Sequence, residues 1–457
     1  MVKKISTWLR KILRSDRIIP APILWFNIFL FSVLLIYSVY RDIQLEKQYP
    51  GDLRNRQVGA RLIKDGKLPY FYKWKQGDDI RYYDPNNADS FKVSIITATP
   101  FFHRILEPVC NLPFSVFSKL WLLLQYICLF IILLTIVLLC KTTFNKLIVL
   151  NIGIAFTYTE AWIMNARYGQ IYLLFAAIFS IIAYLLIKYK QVVPLLLAGL
   201  LIASFILMRP IAVVMMIPFL LFFKKNVRLL LFTALFGLAY GIFIMAYPFE
   251  KSLWKDYSDG LAEQVKIHQN QNPSLQKNDK IIPLHNLEGF NMDKANMLSL
   301  NNYQANKSEN GNVFHLYYLY KGRFMPLYIL NSLWGITMLI CCIYYYMVSR
   351  RYPFNIEAAL IFGYTLYMLT EIFSPIHRHQ YNTVQWLPAL ILTFTFMRSF
   401  NNTAFWLMMA GLILNISNTH LLPMRHTIGE FLILFGLLLA VYKQTAILNV
   451  RQNNSVE

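Results

Sequence analysis

Ile23 to Tyr40 reads ILWFNIFLFSVLLIYSVY, and shortly after it comes Tyr49-Pro50-Gly51-Asp52-Leu53-Arg54-Asn55-Arg56. The first stretch is long and apolar enough to be a membrane-crossing helix, since about 30 Å of hydrocarbon takes about 20 residues. The second sets a carboxylate and two guanidinium groups just beyond its end. Met1 to Arg17 carries Lys3, Lys4, Arg10, Lys11, Arg14 and Arg17, a basic segment that resists translocation, so the N-terminus is expected in the cytoplasm and Asp52 on the outer side. The run lacks a small-residue cleavage site and more apolar runs follow, so it is read as an uncleaved anchor.

Composition agrees. Of 457 residues, 57% are hydrophobic and 15% charged, with mean hydropathy +0.43. A soluble chain this apolar lacks the polar surface it needs, whereas a helix in lipid satisfies its own backbone and can be apolar all round. The expected class is an all-α integral membrane protein, one polytopic domain over residues 1–457. The net charge of +21 would suggest nucleic acid in a soluble protein. Here the bilayer is the partner, no nucleic acid is expected, and the cations sort by membrane side.

The alternation holds along the chain. Ser115 to Cys140 returns to Lys141 and Lys146, Leu147 to Ile163 leads out to Arg167, and Gln170 to Ile187 comes back to Lys188 and Lys190. Val192 to Met208 exits to Arg209, Ile211 to Phe223 returns to Lys224 and Lys225, and Leu229 to Tyr247 opens a second outer region. Met325 to Val348, Phe354 to Phe373, Thr383 to Met397 and two last runs complete about 12 spans. The basic N-terminus (1–22) and the tail (444–457) are expected inside, as in a bacterial-type plasma membrane, and two long loops (41–92 and 248–324) outside.

In the first loop, Leu53 to Asp65 is predicted as a helix stopped by Gly66 and Pro69. Directly before it, Asp52 is equally readable as its N-cap. In the second, Leu253, Trp254, Tyr257, Leu261 and Val265 recur at helical spacing, predicting an amphipathic helix on the membrane surface. Gln264 to Asn312 is polar and is expected to be partly flexible. Val93 to Pro113, broken by Pro100 and Pro108, suits a re-entrant segment beside Asp52. The five cysteines, Cys110, Cys128, Cys140, Cys341 and Cys342, show no metal spacing and read as apolar filler.

The outer-face ionisable groups are Asp52, Arg54, Arg56, His103, Arg104, Glu160, Arg167, Arg209, Glu371, His377, Arg378, His379, Arg425 and His426. Short translocated turns normally avoid Arg, which costs about 2.5 to 3.5 kcal/mol deep in a span. An anionic ligand would justify them, because guanidinium forks match phosphate. Snorkelling to lipid headgroups is the other reading of any single Arg. A base to deprotonate a hydroxyl and cations to receive a departing phosphate are what glycosyl transfer from a lipid phosphate requires.

Four stretches make the chain resemble the GT-C superfamily of membrane glycosyltransferases, most closely glycosyltransferase family 87, the polyprenyl-phosphate-mannose-dependent mannosyltransferase-like proteins. They are Asp52 to Gly66-Lys67-Leu68-Pro69-Tyr70; Gly169-Gln170 opening an apolar run; Arg209-Pro210 through Lys224-Lys225; and Ser374-Pro375 leading to His377, Arg378, His379 and Tyr381. The likeness covers about residues 20 to 400. It implies a GT-C type helical bundle and inverting transfer of a hexose, mannose in characterised relatives, from a polyprenyl-phosphate donor to a glycan or glycolipid acceptor. It implies no cofactor and no metal. Asp52 falls on the family's general base. Arg209, Arg378, His377, His379 and Arg167 are expected at the donor phosphate, and Gln170, Tyr70, His103, Arg104, Glu371 and Tyr381 around the substrate cavity. The family's late His falls on Gln380 by strict spacing, with His377 and His379 flanking it. A lipid-linked-sugar flippase or transporter would gather charge at mid-membrane instead. A polysaccharide polymerase or ligase would depend on the late loops and not on Asp52.

Overall fold

The structure, a computed structural model, describes residues 21–47, 50–87, 91–269, 286–291, 312–350, 354–376, 378–396, 402–416 and 424–453. Residues 1–20, Tyr49, His377 and most of the polar 264–312 stretch lie outside this set.

In chain order the helices are α1 (Ala21–Glu46), α2 (Gly51–Lys64), α3 (Pro100–Leu106), α4 (Phe114–Val137), α5 (Thr143–Phe156), α6 (Glu160–Tyr168), α7 (Tyr172–Lys188) and α8 (Val192–Met208). A 3-10 stretch, Pro210–Met216, leads into α9 (Ile217–Leu221), α10 (Phe223–Ala246) and α11 (Pro248–His268). A hairpin follows, β1 (Asn286–Leu287) against β2 (Phe290–Asn291), antiparallel with Leu287 opposite Phe290. The chain ends with α12 (Val313–Lys321), α13 (Leu327–Ser349), α14 (Ile356–Ile372), a 3-10 turn Gln380–Gln385, α15 (Trp386–Phe396), α16 (Asn402–Ile416) and α17 (Arg425–Asn453). This is a multi-span helical membrane protein, as the sequence predicts.

Among the described residues, α1, α4, α10, α13 and the Arg425–Tyr442 part of α17 are long and apolar enough to cross a membrane. The pair α5 and α6, bent by 60°, makes a sixth if taken as one span. The remaining expected spans are shorter or broken: α7 and α8 have 17 residues each, and Pro218 sits where Ile211 to Phe223 divides into 3-10 and α segments. The expected 12 is therefore a count of apolar segments rather than of full-length helices.

Burial separates a core from a lipid-facing rim. Only 6% of the apolar window of α1, and 11% of those of α10 and α13, is buried. Side chains such as Trp25, Ile36 and Met245 stand exposed, a state apolar groups reach without penalty only in lipid. By contrast α14 is buried nearly all round, as a helix with no polar face must be. Its Tyr364 stacks on Phe179 of α7 at 4.0 Å, and Gly363 lets the backbone at Met215 approach to 2.5 Å from where a Cβ would stand.

The loop elements form a separate cap. Val58, Leu62 and Ile63 of α2 pack with Tyr70, Tyr82, Ile96, and Leu253 and Tyr257 of α11. So the amphipathic α11 expected from the sequence packs Leu253, Tyr257 and Gly260 of its buried stripe against the first loop. Gln264 Nε2 donates to the Ser94 carbonyl at 2.8 Å, joining the two loops.

Candidate active site

The helix bearing Asp52 begins two residues earlier than the sequence suggests. Pro50 occupies the N-cap without a side-chain bond, and Asp52 lies in the first turn. Its carboxylate caps nothing. Instead Gln170 Nε2 donates to Asp52 Oδ2, which removes the N-cap reading. Gln170 Oε1 in turn accepts from Arg56 Nη2 at 2.6 Å, while Arg56 Nη1 donates to the Asp52 backbone carbonyl at 2.6 Å. One amide thus stands between the carboxylate and the guanidinium.

Gly169 makes this contact possible. It closes α6 in the left-handed conformation, φ 64°, where a side chain is strained. A Cβ there would lie 2.6 Å from Leu53 Cβ. The preceding Asn165 carbonyl holds the Gln170 amide at 2.9 Å, and Trp121 Nε1 donates to the Gln170 carbonyl at 3.3 Å.

Tyr172, two residues on, connects Asp52 to the later motifs. Its ring stacks on Tyr381 at 5.5 Å, Arg209 lies over it at 6.0 Å, and its hydroxyl is within electrostatic reach of Arg209, Glu371, Arg56 and Arg378. Arg209, at the C-cap of α8, donates through Nε and Nη2 to Glu371 Oε1 at 2.8 and 2.5 Å. Its Nη1 has no partner among the described residues, and the side chain keeps 33% of its exposure. Asp52, Tyr172, Arg209 and His379 all retain accessible surface although protein surrounds them deeply.

Electrostatics tune the carboxylate. Burial raises the Asp52 pKa above the ordinary 3.8, outweighing the Arg56 charge and the Gln170 hydrogen bond, which lower it. A carboxylate so placed is a better base at neutral pH than a solvated one.

A second carboxylate, absent from the sequence reading, lies close by. Asp84 sits between two 3-10 turns, Ile80–Tyr82 and Pro85–Asn87, tied to α2 by Arg54 Nε donating to the Tyr83 carbonyl at 2.9 Å. It is 4% exposed. Oδ1 accepts from the Asn86 amide at 3.0 Å, and Oδ2 has no partner among the described residues. Burial above all, with the Asp52 charge adding to it, raises its pKa to about 7 against the opposing Asn86 bond, Arg54 and Lys73. Three histidines also converge electrostatically, His268, His315 and His379. Burial lowers the first and last to about 4, so they are neutral donors or acceptors at physiological pH.

The other expected residues are placed as follows. Arg167 lies over the Tyr168 ring at 5.7 Å without an ion pair among the described residues, and Tyr168 meets Tyr381 at 6.2 Å. Arg378 is 1% exposed and paired through Nη1 with Glu430; its Nε and Nη2 have no partner among the described residues. Tyr70, His103 and Arg104 stand behind α2. Tyr70 is buried and donates to the Ala98 carbonyl at 2.9 Å. His103 is wholly enclosed, its Nδ1 3.2 Å from the Arg56 carbonyl and its ring filling the space beside Gly59. Burial lowers its pKa to about 3. Arg104 bridges Glu107 and Glu250.

The outer arginines are therefore mostly balanced from within: Arg54 and Arg61 by Glu288, Arg209 by Glu371, Arg378 by Glu430 and Arg425 by Glu160. Arg54, Arg61, Arg378 and Arg425 are 2% exposed or less, which excludes snorkelling for them. No ligand is needed to account for these four. Arg209 and Arg167 keep accessible charge, as does Arg104, which is taken up by Glu107 and Glu250 behind α2.

A family model described as glycosyltransferase family 87 matches residues 97–375, more than half of the chain. The match takes in Gln170, Arg209 and Glu371, with Asp52 upstream and Arg378 downstream of it. No curated protein and no solved structure matches the chain. With a bundle of apolar helices capped by polar loops that enclose a carboxylate and guanidinium groups, this match shows that the chain belongs to glycosyltransferase family 87 and is a membrane glycosyltransferase.

Proposed function

We propose that the enzyme moves a hexose, mannose by family resemblance, from a polyprenyl-phosphate carrier to a hydroxyl of a glycan or glycolipid at the extracytoplasmic face, inverting the anomeric centre. Asp52 removes the hydroxyl proton as the acceptor oxygen attacks the anomeric carbon. The bond to the carrier phosphate breaks on the opposite side, and that phosphate leaves with the electron pair. Arg209, through its free Nη1, and Arg167 supply the cationic field that receives it. Arg378, enclosed and paired with Glu430, adds its charge from behind them, and His379 offers a neutral ring nitrogen. His377 is assigned the same role by its place in the late motif. Tyr172 and Tyr381 offer a stacked aromatic wall against which a sugar ring packs.

The observation that carries this reading is the Asp52–Gln170–Arg56 arrangement, which keeps a carboxylate inside the protein, ordered and basic, on the same stretch as Tyr172, whose ring lies under Arg209. The test is transfer from synthetic polyprenyl-phosphate-mannose, with glucose and arabinose analogues in parallel, by purified Asp52→Asn and wild-type enzyme. Loss of a general base lowers turnover by about 10² to 10⁴. Turnover by Asp52→Asn at the wild-type rate ends the assignment.

A further inference from the structure

A cavity of about 830 Å³ lies at the opposite helix ends from Asp52, walled by the end of α7, the start of α8, the start of α10 and the start of α14. α7 leaves the active site at Tyr172 and reaches this cavity after 17 residues, about 25 Å at 1.5 Å per residue. Lys190, Lys224, Lys225 and Arg228 line it, against Glu357 alone of the acids. All four cations are exposed, and none makes an ion pair among the described residues.

Cations at a cytoplasmic edge are expected from topology alone, but that rule scatters them into water. Here two separate loops aim them at one concavity. Three of them occupy the first turns of α10, where the helix dipole disfavours positive charge. The remaining wall is apolar, with Leu195, Leu229 and Phe354. A cationic rim over an apolar wall fits a phosphate-bearing headgroup whose acyl chains run down between helices.

We infer that this cavity binds the phosphate headgroup of an anionic membrane phospholipid on the face opposite the transfer site. The full chain, purified in detergent and exchanged into phosphatidylglycerol or phosphatidylcholine, is delipidated stepwise and weighed by native mass spectrometry. Phosphatidylglycerol is expected to be retained at least tenfold better than phosphatidylcholine. Lys190→Gln/Lys224→Gln and Lys225→Gln/Arg228→Gln, two variants so that one poorly inserted protein does not decide the matter, each lose that preference while sugar transfer persists. Equal retention of the two lipids, or an unchanged preference in both variants, overturns the proposal. Displacement of the lipid by millimolar glycerol phosphate overturns the lipid source in favour of a soluble phosphate ester.

Discussion

Replacing Asp84 by Asn removes one titration and little else. The acceptor oxygen toward the Asn86 amide is kept, and an amide nitrogen takes the place of the unpartnered Oδ2. In the folded protein the Asp84 carboxyl titrates near 7 against an ordinary 3.8, chiefly because it is buried. Between those values the folded chain holds a proton that the unfolded chain has released, so stability falls as pH rises through the window and the loss is complete above about 7. The displacement corresponds to roughly 4 kcal/mol, of which roughly 2.5 kcal/mol falls between pH 5 and pH 8. A buried amide nitrogen without a partner costs about 1 to 3 kcal/mol, but equally at every pH. The difference between variant and wild type across pH therefore isolates the ionisation. Unfolding of detergent-solubilised protein, followed at pH 5, 6, 7 and 8, should show the wild type losing stability relative to Asp84→Asn. Parallel curves would refute the burial argument. Sugar transfer should survive in Asp84→Asn within about tenfold, unlike in Asp52→Asn, because the amide mimics the protonated acid that the site holds below pH 7.

Gly169→Ala strains a left-handed residue and drives a Cβ against Leu53; about 2 kcal/mol or more of stability should be lost, read as a lower unfolding temperature together with weaker transfer. Arg209→Lys retains the charge but not the fork toward Glu371, so KM for the phosphate-linked donor should rise roughly tenfold while the acceptor's stays put. Gln170→Leu removes the amide between Arg56 and Asp52. The carboxylate loses the hydrogen bond that lowers its pKa while Arg56 stays on the two carbonyls, so the acid limb of kcat moves to higher pH and the plateau falls roughly tenfold as the base loses its orientation; an unmoved limb would count against the bridging role.

Where sequence and structure agree, the deciding residues are local. Val192 to Met208 is bounded as expected because Gln191 on one side and Arg209-Pro210 on the other end the apolar pattern abruptly. The helix after Asp52 stops where Gly66 takes φ 71°. The bend between α5 and α6 was hidden because Thr157-Tyr158-Thr159 contains neither Gly nor Pro; Thr159 instead caps α6 by accepting from the Trp162 amide. Asp84 was equally hidden. Asp78, Asp79, Asp84 and Asp89 share one polar stretch, and only the fold of the two 3-10 turns decides which of them leaves water. The pairing of outer arginines could not be read either, since Glu288 and Glu430 come from segments far along the chain. A charge tally by membrane side finds the cations but not the carboxylates that neutralise them.

That pairing explains why Asp52 is bridged and not ion-paired. Among the described residues, most outer guanidinium groups meet a glutamate directly, and a direct pair favours the ionised carboxylate, which makes it a poor base. Gln170 prevents this at Asp52 alone. Its amide gives an N–H to one neighbour and an oxygen to the other, so the orientation is set by both and neither can be satisfied with the amide reversed. Arg56 is held by its bonds to the Asp52 and Gly169 carbonyls and cannot swing past. The carboxylate keeps one charge-free hydrogen bond, a nearby but separated cation, and a buried setting that raises its proton affinity. A Glu at position 170 would add a like charge, and an Arg would quench the base. A neutral amide, fixed by the left-handed glycine before it, is the side chain that leaves Asp52 both ordered and basic.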